Sequence, residues 1–283
     1  MSHSNPVTPL RAIRPALSLQ KSWLRSHPRN WNNFMRQLDR SGTPYLSHSK
    51  VTSLEKCPLC YYREYVLGEK QDSPALHRGG LFHQAAKAFY GALKIGQRIK
   101  PSISSKQIHA KSLPAEILPM LRNALELLRK NWWQHHDILA VEECFFMDLA
   151  AGLPPIIGIP DLLLRHEGSL ILVDHKISTS FKVLDSSQLV LYAENLRRQY
   201  ATNCIVGVFD EYRLVPDLST INKPAFRRTP VSVDRSFLPN LISRYRRAWK
   251  KIISMQKNGE PNPSPDCRTC NFSTYSDRSY YSW

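Results

Sequence analysis

Apolar residues recur at helical spacing over 79–94 and 114–136, where Leu118, Leu121, Leu125 and Leu128 fall on one face. The same period predicts a helix over 184–199. A last one spans 236–258, with Phe237, Leu241, Tyr245, Trp249 and Ile252 on one side and Arg244, Arg246, Arg247, Lys250 and Lys251 on the others. Between these helices the pattern changes. Segments 139–150, 156–165 and 169–176 are short, apolar and bounded by turn signals: Gly152-Leu153-Pro154-Pro155 first, then Glu167-Gly168. They read as three strands joined by hairpins. Further strands are expected at 203–210 and 229–233. The first fifty residues are broken by Pro6, Pro9, Pro15 and Pro28 and leave room for one helix at 30–40. Residues 50–67 read as a helix or turn leading into Tyr61, Tyr62 and Tyr65. Gly79-Gly80 opens the helix at 79–94, 100–113 is a polar loop, and 259–283 is irregular. Helices, a strand meander, a helix and more strands in that order predict a mixed α/β core. No internal repeat and no Walker-type phosphate loop is visible.

At 283 residues, with 42% hydrophobic and 10% aromatic residues, the chain is long and apolar enough to bury a core. No apolar run approaches the ~20 residues of a membrane helix, and no secretory signal is expected. The formal net charge is +16, which points to a polyanionic partner. Its distribution sharpens that. Residues 1–50 hold 8 basic residues against 1 acidic, 51–219 hold 19 against 18, and 220–283 hold 12 against 4. The middle is nearly neutral and both flanks are basic. The basic start reads as a phosphate-binding arm, an organellar targeting segment, or a solvated face.

The neutral middle carries the candidate chemistry. If Glu167 and Gly168 are the two loop residues of an antiparallel hairpin, His166 faces Ser169, Arg165 faces Leu170, and the sixth pair is Asp161 with Asp174. Opposed side chains stand ~5 Å apart, where like charges repel. A divalent cation between the two carboxylates removes the conflict. Hard oxygen donors suit Mg²⁺ or Mn²⁺. Lys176, two residues past Asp174, projects from the same face. With 152–155 as the loop of the preceding hairpin, Asp161 faces Phe146. Glu142 then points to the same side and Glu143 to the other. Carboxylates, a cation and a lysine together suit phosphodiester hydrolysis. The plainer reading is a hairpin with two exposed aspartates and a solvated lysine.

These residues resemble the PD-(D/E)xK nuclease superfamily, in its RecB-like branch, which includes CRISPR-associated exonucleases and the nuclease domains of recombination helicase–nucleases. Gly158-Ile159-Pro160-Asp161 is similar to the first catalytic motif and Val173-Asp174-His175-Lys176 to the second. Gln188 and Tyr192 match the Gln-x-x-x-Tyr signature on the next helix; positions i and i+4 share a helix face. Gly80-Leu81-Phe82-His83 matches the upstream helix with a metal-binding histidine. Leu46-Ser47-His48-Ser49 through Cys57-Pro58 matches the domain's opening. The resemblance implies a restriction-endonuclease-like α/β fold, a mixed central sheet flanked by helices, over 46–272. Residues 1–45 are then a basic extension and 273–283 a tail. It implies His83, Asp161, Asp174 and the His175 backbone carbonyl as metal ligands, Lys176 as the catalytic lysine, and Gln188, Tyr192 and Glu142 beside them.

Six cysteines remain. Cys144 and Cys204 fall in expected strands and read as buried small hydrophobes. Cys57-Pro-Leu-Cys60 and Cys267-Arg-Thr-Cys270 can close one thiolate site for zinc or an iron–sulfur cluster, or be ordinary thiols. Disulfides are less expected in a reducing compartment. The resemblance favours a 4Fe–4S cluster that staples the domain's ends. The family's usual third late cysteine is absent near Ser276, with Cys60 available in its place.

The expected function is a metal-dependent deoxyribonuclease, an exonuclease rather than a sequence-specific cutter, acting on single strands or free ends. Its setting is cytoplasmic DNA repair, recombination, or mobile-element or phage metabolism, with a helicase or recombination partner. Trp132 and Trp133, or Tyr61 and Tyr62, are candidates to stack bases, or else core residues. The alternative is a DNA-binding or assembly subunit with a dormant nuclease centre.

Overall fold

A computed structural model describes residues 38, 44–69, 74–104, 115–219, 222–265 and 267. The expected helix at 30–40, the end of the chain and Cys270 lie outside them, apart from Leu38. The chain forms two compact units. One comprises Met1–Gln71, Cys144–Gly158 and Pro239–Trp283; the other comprises Asp72–Glu143 and Ile159–Leu238.

In the first unit, β1 (Leu46–Ser47) pairs in parallel with β4 (Ile156–Gly158), and β4 pairs antiparallel with β3 (Phe145–Met147). Helix α1 (His48–Lys56) is capped by Ser47, whose hydroxyl accepts from the Lys50 amide. Pro58 opens α2 (Pro58–Tyr61), where its missing N–H costs nothing. One wide helical turn follows over Tyr62–Val66. Helix α6 (Leu238–Asn258) buries Leu241, Tyr245, Ala248, Trp249, Ile252 and Met255. That is the apolar stripe expected from the sequence, except that Phe237 is exposed and precedes the helix.

The second unit is built on a five-stranded sheet in the order β2-β5-β6-β7-β8. Its strands are β2 (Asp137–Val141), β5 (Leu162–His166), β6 (Ser169–Ser178), β7 (Ile205–Arg213) and β8 (Phe226–Val231). Only β6 and β7 pair in parallel, and α5 (Ser187–Tyr200) is their crossover. One face carries α3 (Pro74–Lys94) and α4 (Ile117–Lys130). There Leu81, Phe82, Tyr90, Leu121 and Leu128 pack with Leu162, Val173 and Tyr212. On the other face α5 approaches closely at Gly207, where a Cβ would lie 2.6 Å from Val233 and 3.3 Å from Leu189. Glu167 (φ 47°) and Gly168 (φ 79°) form the tight turn between β5 and β6, with both central residues in the left-handed region. No helix among the described residues is long and apolar enough to cross a membrane.

Several expectations need correction. The segments 139–150 and 156–165 are not continuous strands. Each breaks, at 142–144 and 159–161, where the chain passes from one sheet to the other. Glu142 at φ 46° leaves the strand conformation, and Pro160 supplies no N–H for a ladder. Phe146 therefore faces Ile157, not Asp161. Cys144 consequently lies between strands and is half-buried, while exposed Cys204 precedes β7. Helix α3 starts at Pro74, which suits a first turn, so Gly79 and Gly80 are interior and not its opening.

Candidate active site

The β5–β6 hairpin sets the geometry. Its register runs from His166 with Ser169 to Leu162 with Val173, which brings Asp161 level with Asp174. The backbone bends at Asp161, and its Oδ2 accepts the His175 amide at 2.7 Å. On the neighbouring strand the Glu142 amide donates to the Asp161 carbonyl at 3.0 Å. Glu142 thus reaches the site by continuing the β2–β5 pairing, not through a partner at Phe146. Helix α3 supplies His83, whose Nδ1 lies 3.4 Å from Asp161 Oδ1. One ligand-type atom from each of His83, Glu142 and Asp161 lies within 4.8 Å of the others. Glu143 points elsewhere, to Lys94 at 3.3 Å.

Asp174 and Lys176 project from the α5 face of β6. Lys176 Nζ lies 2.6 Å from Asp174 Oδ2 and 3.3 Å from Gln188 Oε1. Gln188 Nε2 in turn donates to the Tyr192 hydroxyl at 2.9 Å. The order Asp174–Lys176–Gln188–Tyr192 fixes the lysine between a carboxylate and an amide, and the amide's orientation follows from the bond to Tyr192. His175 has opposite parity. Its imidazole is buried on the α3 face, stacked on Tyr90 with ring centroids 5.6 Å apart, so only its backbone belongs to the site.

Electrostatics separate the carboxylates. Burial raises the Asp174 carboxyl, the nearby Asp161 charge raises it further, and Lys176 offsets only part, leaving it at about 6. Burial also acts on Asp161, but His83 and the His175 amide outweigh it and hold Asp161 below its ordinary value. His83 is disfavoured as a cation by burial, yet Asp161, Asp174 and Glu142 raise it. Such an accumulation of buried negative charge fits a divalent cation, and the donor set of carboxylates with one imidazole fits Mg²⁺ or Mn²⁺.

The first unit holds the cysteine cluster. One sulfur each from Cys57, Cys60 and Cys267 lies within 4.8 Å of the others, and Cys60 Sγ is 3.6 Å from Cys267 Sγ. Burial raises the Cys57 thiol, but hydrogen bonds from the backbone of Ser264, Cys60 and Leu59 and from Cys267 bring it below its ordinary value. Cys60 carries a disulfide, the state that the sequence made less expected for these cysteines, while Cys57 carries none.

The sequence candidates for base stacking are mostly core. Tyr61, Tyr62 and Trp133 are buried, and the Trp133 indole donates to Asp210. Trp132 is half-buried against Phe89. Sequence reasoning missed Lys87, which lies 2.9 Å from Glu142. Its signal was its place four residues after His83, on the same helix face.

A mixed sheet whose hairpin opposes two aspartates, with a lysine two residues on and a glutamine–tyrosine pair on the crossover helix, defines a class of phosphodiester-cleaving folds. Residues 45–275 match the PD-(D/E)XK nuclease superfamily. The chain belongs to that superfamily, and its fold is of the restriction-endonuclease-like type. The solved structure of a "Putative exonuclease" from Eubacterium rectale is similar: 14% identical, TM-score 0.55, covering 84% of this chain and 90% of that one. That likeness concerns the fold. The structure of SSO0001 is 17% identical over 93% of this chain and 95% of that one, with a TM-score of 0.35. No curated protein matches the chain.

Proposed function

We propose that the protein is a divalent-metal-dependent deoxyribonuclease of the RecB-like branch, acting as an exonuclease on DNA strands with free ends. The observation that carries this is Asp174: a buried carboxyl opposite Asp161 that shares its face with Lys176. In this reading His83, Asp161, Asp174 and the His175 backbone carbonyl hold Mg²⁺ or Mn²⁺, with Glu142 beside them. When bound, the cation supplies positive charge at the scissile phosphate. Lys176, oriented by Asp174 and Gln188, places its ammonium where negative charge builds on the phosphate oxygens or where the attacking water sits. Tyr192 keeps Gln188 turned toward the lysine.

Substrate grip is assigned to the basic flanks. Helix α6 contains no acidic residue, and Arg246, Arg247, Lys250, Lys251 and Lys257 are all exposed on it. Such a row binds phosphates without reading sequence. Exonuclease action follows from the RecB-like resemblance and from the lack of a separate base-reading module in the sequence. Cytoplasmic repair, recombination, or mobile-element or phage metabolism is the setting proposed, with a helicase or recombination protein as partner.

With the Cys60 disulfide reduced to thiols, Cys57, Cys60 and Cys267, with Cys270 as the fourth, are proposed to hold a 4Fe–4S cluster. Zinc is the second reading. The 3.6 Å between Cys60 Sγ and Cys267 Sγ is close to the ~3.8 Å edge of a tetrahedron with 2.3 Å Zn–S bonds. Anaerobically purified protein is expected to be brown; colourless protein with stoichiometric zinc establishes the second reading, and a metal-free disulfide form rejects both.

The test of the activity is cleavage of labelled single- and double-stranded DNA with Mg²⁺ or Mn²⁺. Wild-type protein is expected to cut, and Asp174→Ala and Lys176→Ala to bind without cutting. DNA binding with no cleavage by wild type would establish the dormant alternative.

A further inference from the structure

The catalytic face of the sheet continues past Lys176 into a second feature. In the parallel β6–β7 pair, Lys176 stands opposite Glu211 and Ser178 opposite Arg213; in the antiparallel β7–β8 pair, Arg227 stands opposite Glu211. Alternate residues of a strand share a face. Asp174, Lys176, Glu211, Arg213 and Arg227 therefore project to the same side, and Lys176 Nζ lying 5.9 Å from the Phe209 ring agrees with that. One strand over and two residues on places the Arg213 backbone ~8 Å from that of Lys176.

Here Phe181, Arg213, Lys223, Phe226 and Arg227 line an open pocket of about 510 Å³. The guanidinium carbons of Arg227 and Arg213 lie 4.6 and 5.7 Å from the Phe181 ring centre. Arg227 is neutralised by Glu211 at 2.5 Å and donates to the Lys182 carbonyl, which anchors the loop between Lys176 and Gln188. Arg213 donates to the Pro224 carbonyl at 2.9 Å, a contact that leaves its charge unmatched. Neither Arg213 nor Lys223 has an ion pair with an acid among the described residues, and Lys223 is exposed. Two unmatched cations thus rim a pocket that has the Phe181 ring in its wall, while the Phe226 ring packs on Tyr212 toward the opposite face. Val183 on the same loop is fully exposed.

We propose that this pocket binds the nucleotide neighbouring the cleaved one in a single DNA strand. Arg213 and Lys223 hold its phosphate, and the wall formed by the Phe181 ring receives its unpaired base. Charge complementarity selects a phosphate, the aromatic wall selects a base with an open face, and the short distance to Lys176 selects an adjacent nucleotide. This rests on the nuclease reading of Lys176 and adds a strand preference to it.

The test measures binding of labelled oligothymidylate, and of a duplex, by anisotropy in EDTA, where no cleavage occurs. The Arg213→Ala/Lys223→Ala double variant is expected to lose at least tenfold in single-strand affinity. Its slope of log affinity against log salt should fall by about 0.7, as for one phosphate no longer neutralised. Phe181→Ala should cost about fivefold or more with no change in slope, and Phe181→Trp should restore it. Lys223→Glu, at an exposed position where folding is not at stake, should weaken binding on its own. Single-strand affinity within twofold of wild type in the double variant, or an equal loss for the duplex, overturns the proposal. Wild type that binds but never cuts with Mg²⁺ or Mn²⁺ defeats the nuclease reading instead, and the two failures are thereby separate.

Discussion

Two sets of buried carboxylates lie within the second unit and are treated in opposite ways. Asp210 on β7 is fully buried, accepts two hydrogen bonds from Arg228 at 2.7 and 2.9 Å, and takes a third from Trp133 at 3.0 Å. Glu194 on α5 is equally buried, with Arg197, Arg198 and Arg235 around it, and Arg235 and Arg198 hold it below its ordinary value against the effect of burial. Asp174, one strand from Asp210, has a single ammonium beside it, and its Oδ2 makes no well-directed hydrogen bond. Its neighbour Asp161 adds a like charge. Buried charge is tolerated when donors saturate it and costs stability when they do not. The saturated carboxylates hold the fold; the unsaturated one is where an external cation has most to offer.

Replacing each by its neutral isostere should split the two sets most widely. Asp174→Asn is expected to reduce cleavage about a thousandfold or more, comparable to losing a principal electrostatic contact. The metal-free protein should nevertheless become more stable at pH 7. A carboxyl raised from 3.8 to about 6 favours the folded state only while protonated, so its ionisation costs of the order of 2–3 kcal/mol as pH rises through that window. Asp210→Asn should have the opposite sign, losing about 3–5 kcal/mol because Arg228 keeps its charge without a partner. Denaturant melts in EDTA check both; equal destabilisation by the two variants would dissolve the distinction.

Glu194→Gln is the milder test of the saturated class. It leaves three arginines, two of them well solvated, so about 2–3 kcal/mol is expected in the same melts. No change in metal affinity should accompany it, because Glu194 makes its contacts with arginines and not with the site.

The contrast between the two sets also marks what the sequence reveals. Asp161 opposite Asp174 could be counted outward from Glu167-Gly168, because a two-residue turn leaves one register. The Lys176–Gln188–Tyr192 line follows from strand parity and helical spacing. These are local rules. The break at Glu142 was not legible, because nothing in a continuous apolar run announces a positive φ. The partnership of Asp210 with Arg228 and Trp133 was not legible either: Trp133 and Asp210 are 77 residues apart, and only the sheet order joins them. Disagreement over Cys204 has the same origin, since one residue of strand end decides between buried and exposed.

Acidity offers a finer probe of the unsaturated set. Below about pH 6 Asp174 takes up a proton, and a cation must displace it. Mn²⁺ affinity measured by calorimetry should therefore weaken on account of Asp174 by up to about tenfold for each unit below pH 6, in addition to the loss as His83 takes up its own proton. In Asp174→Asn only the part of that dependence owed to the His83 proton should remain. A wild-type affinity independent of pH between 5 and 7 would remove Asp174 from the ligand set.

The smallest effect concerns Lys87, a cation beside the site that the sequence reading left out. Its ammonium lies 2.9 Å from Glu142 but is 55% exposed, so the pair contributes little to stability. Lys87→Ala should shift the denaturation midpoint by no more than about 0.5 kcal/mol. Its effect on the site has the other sign, because a lysine that neutralises Glu142 competes with any cation drawn to the same carboxylate. Removing it should tighten Mn²⁺ binding a few-fold, an effect that shrinks as salt screens the lysine's field. Weaker Mn²⁺ binding in Lys87→Ala would instead mean that the lysine orients Glu142 for the cation, and would move Lys87 from the unsaturated set's competitor to its support.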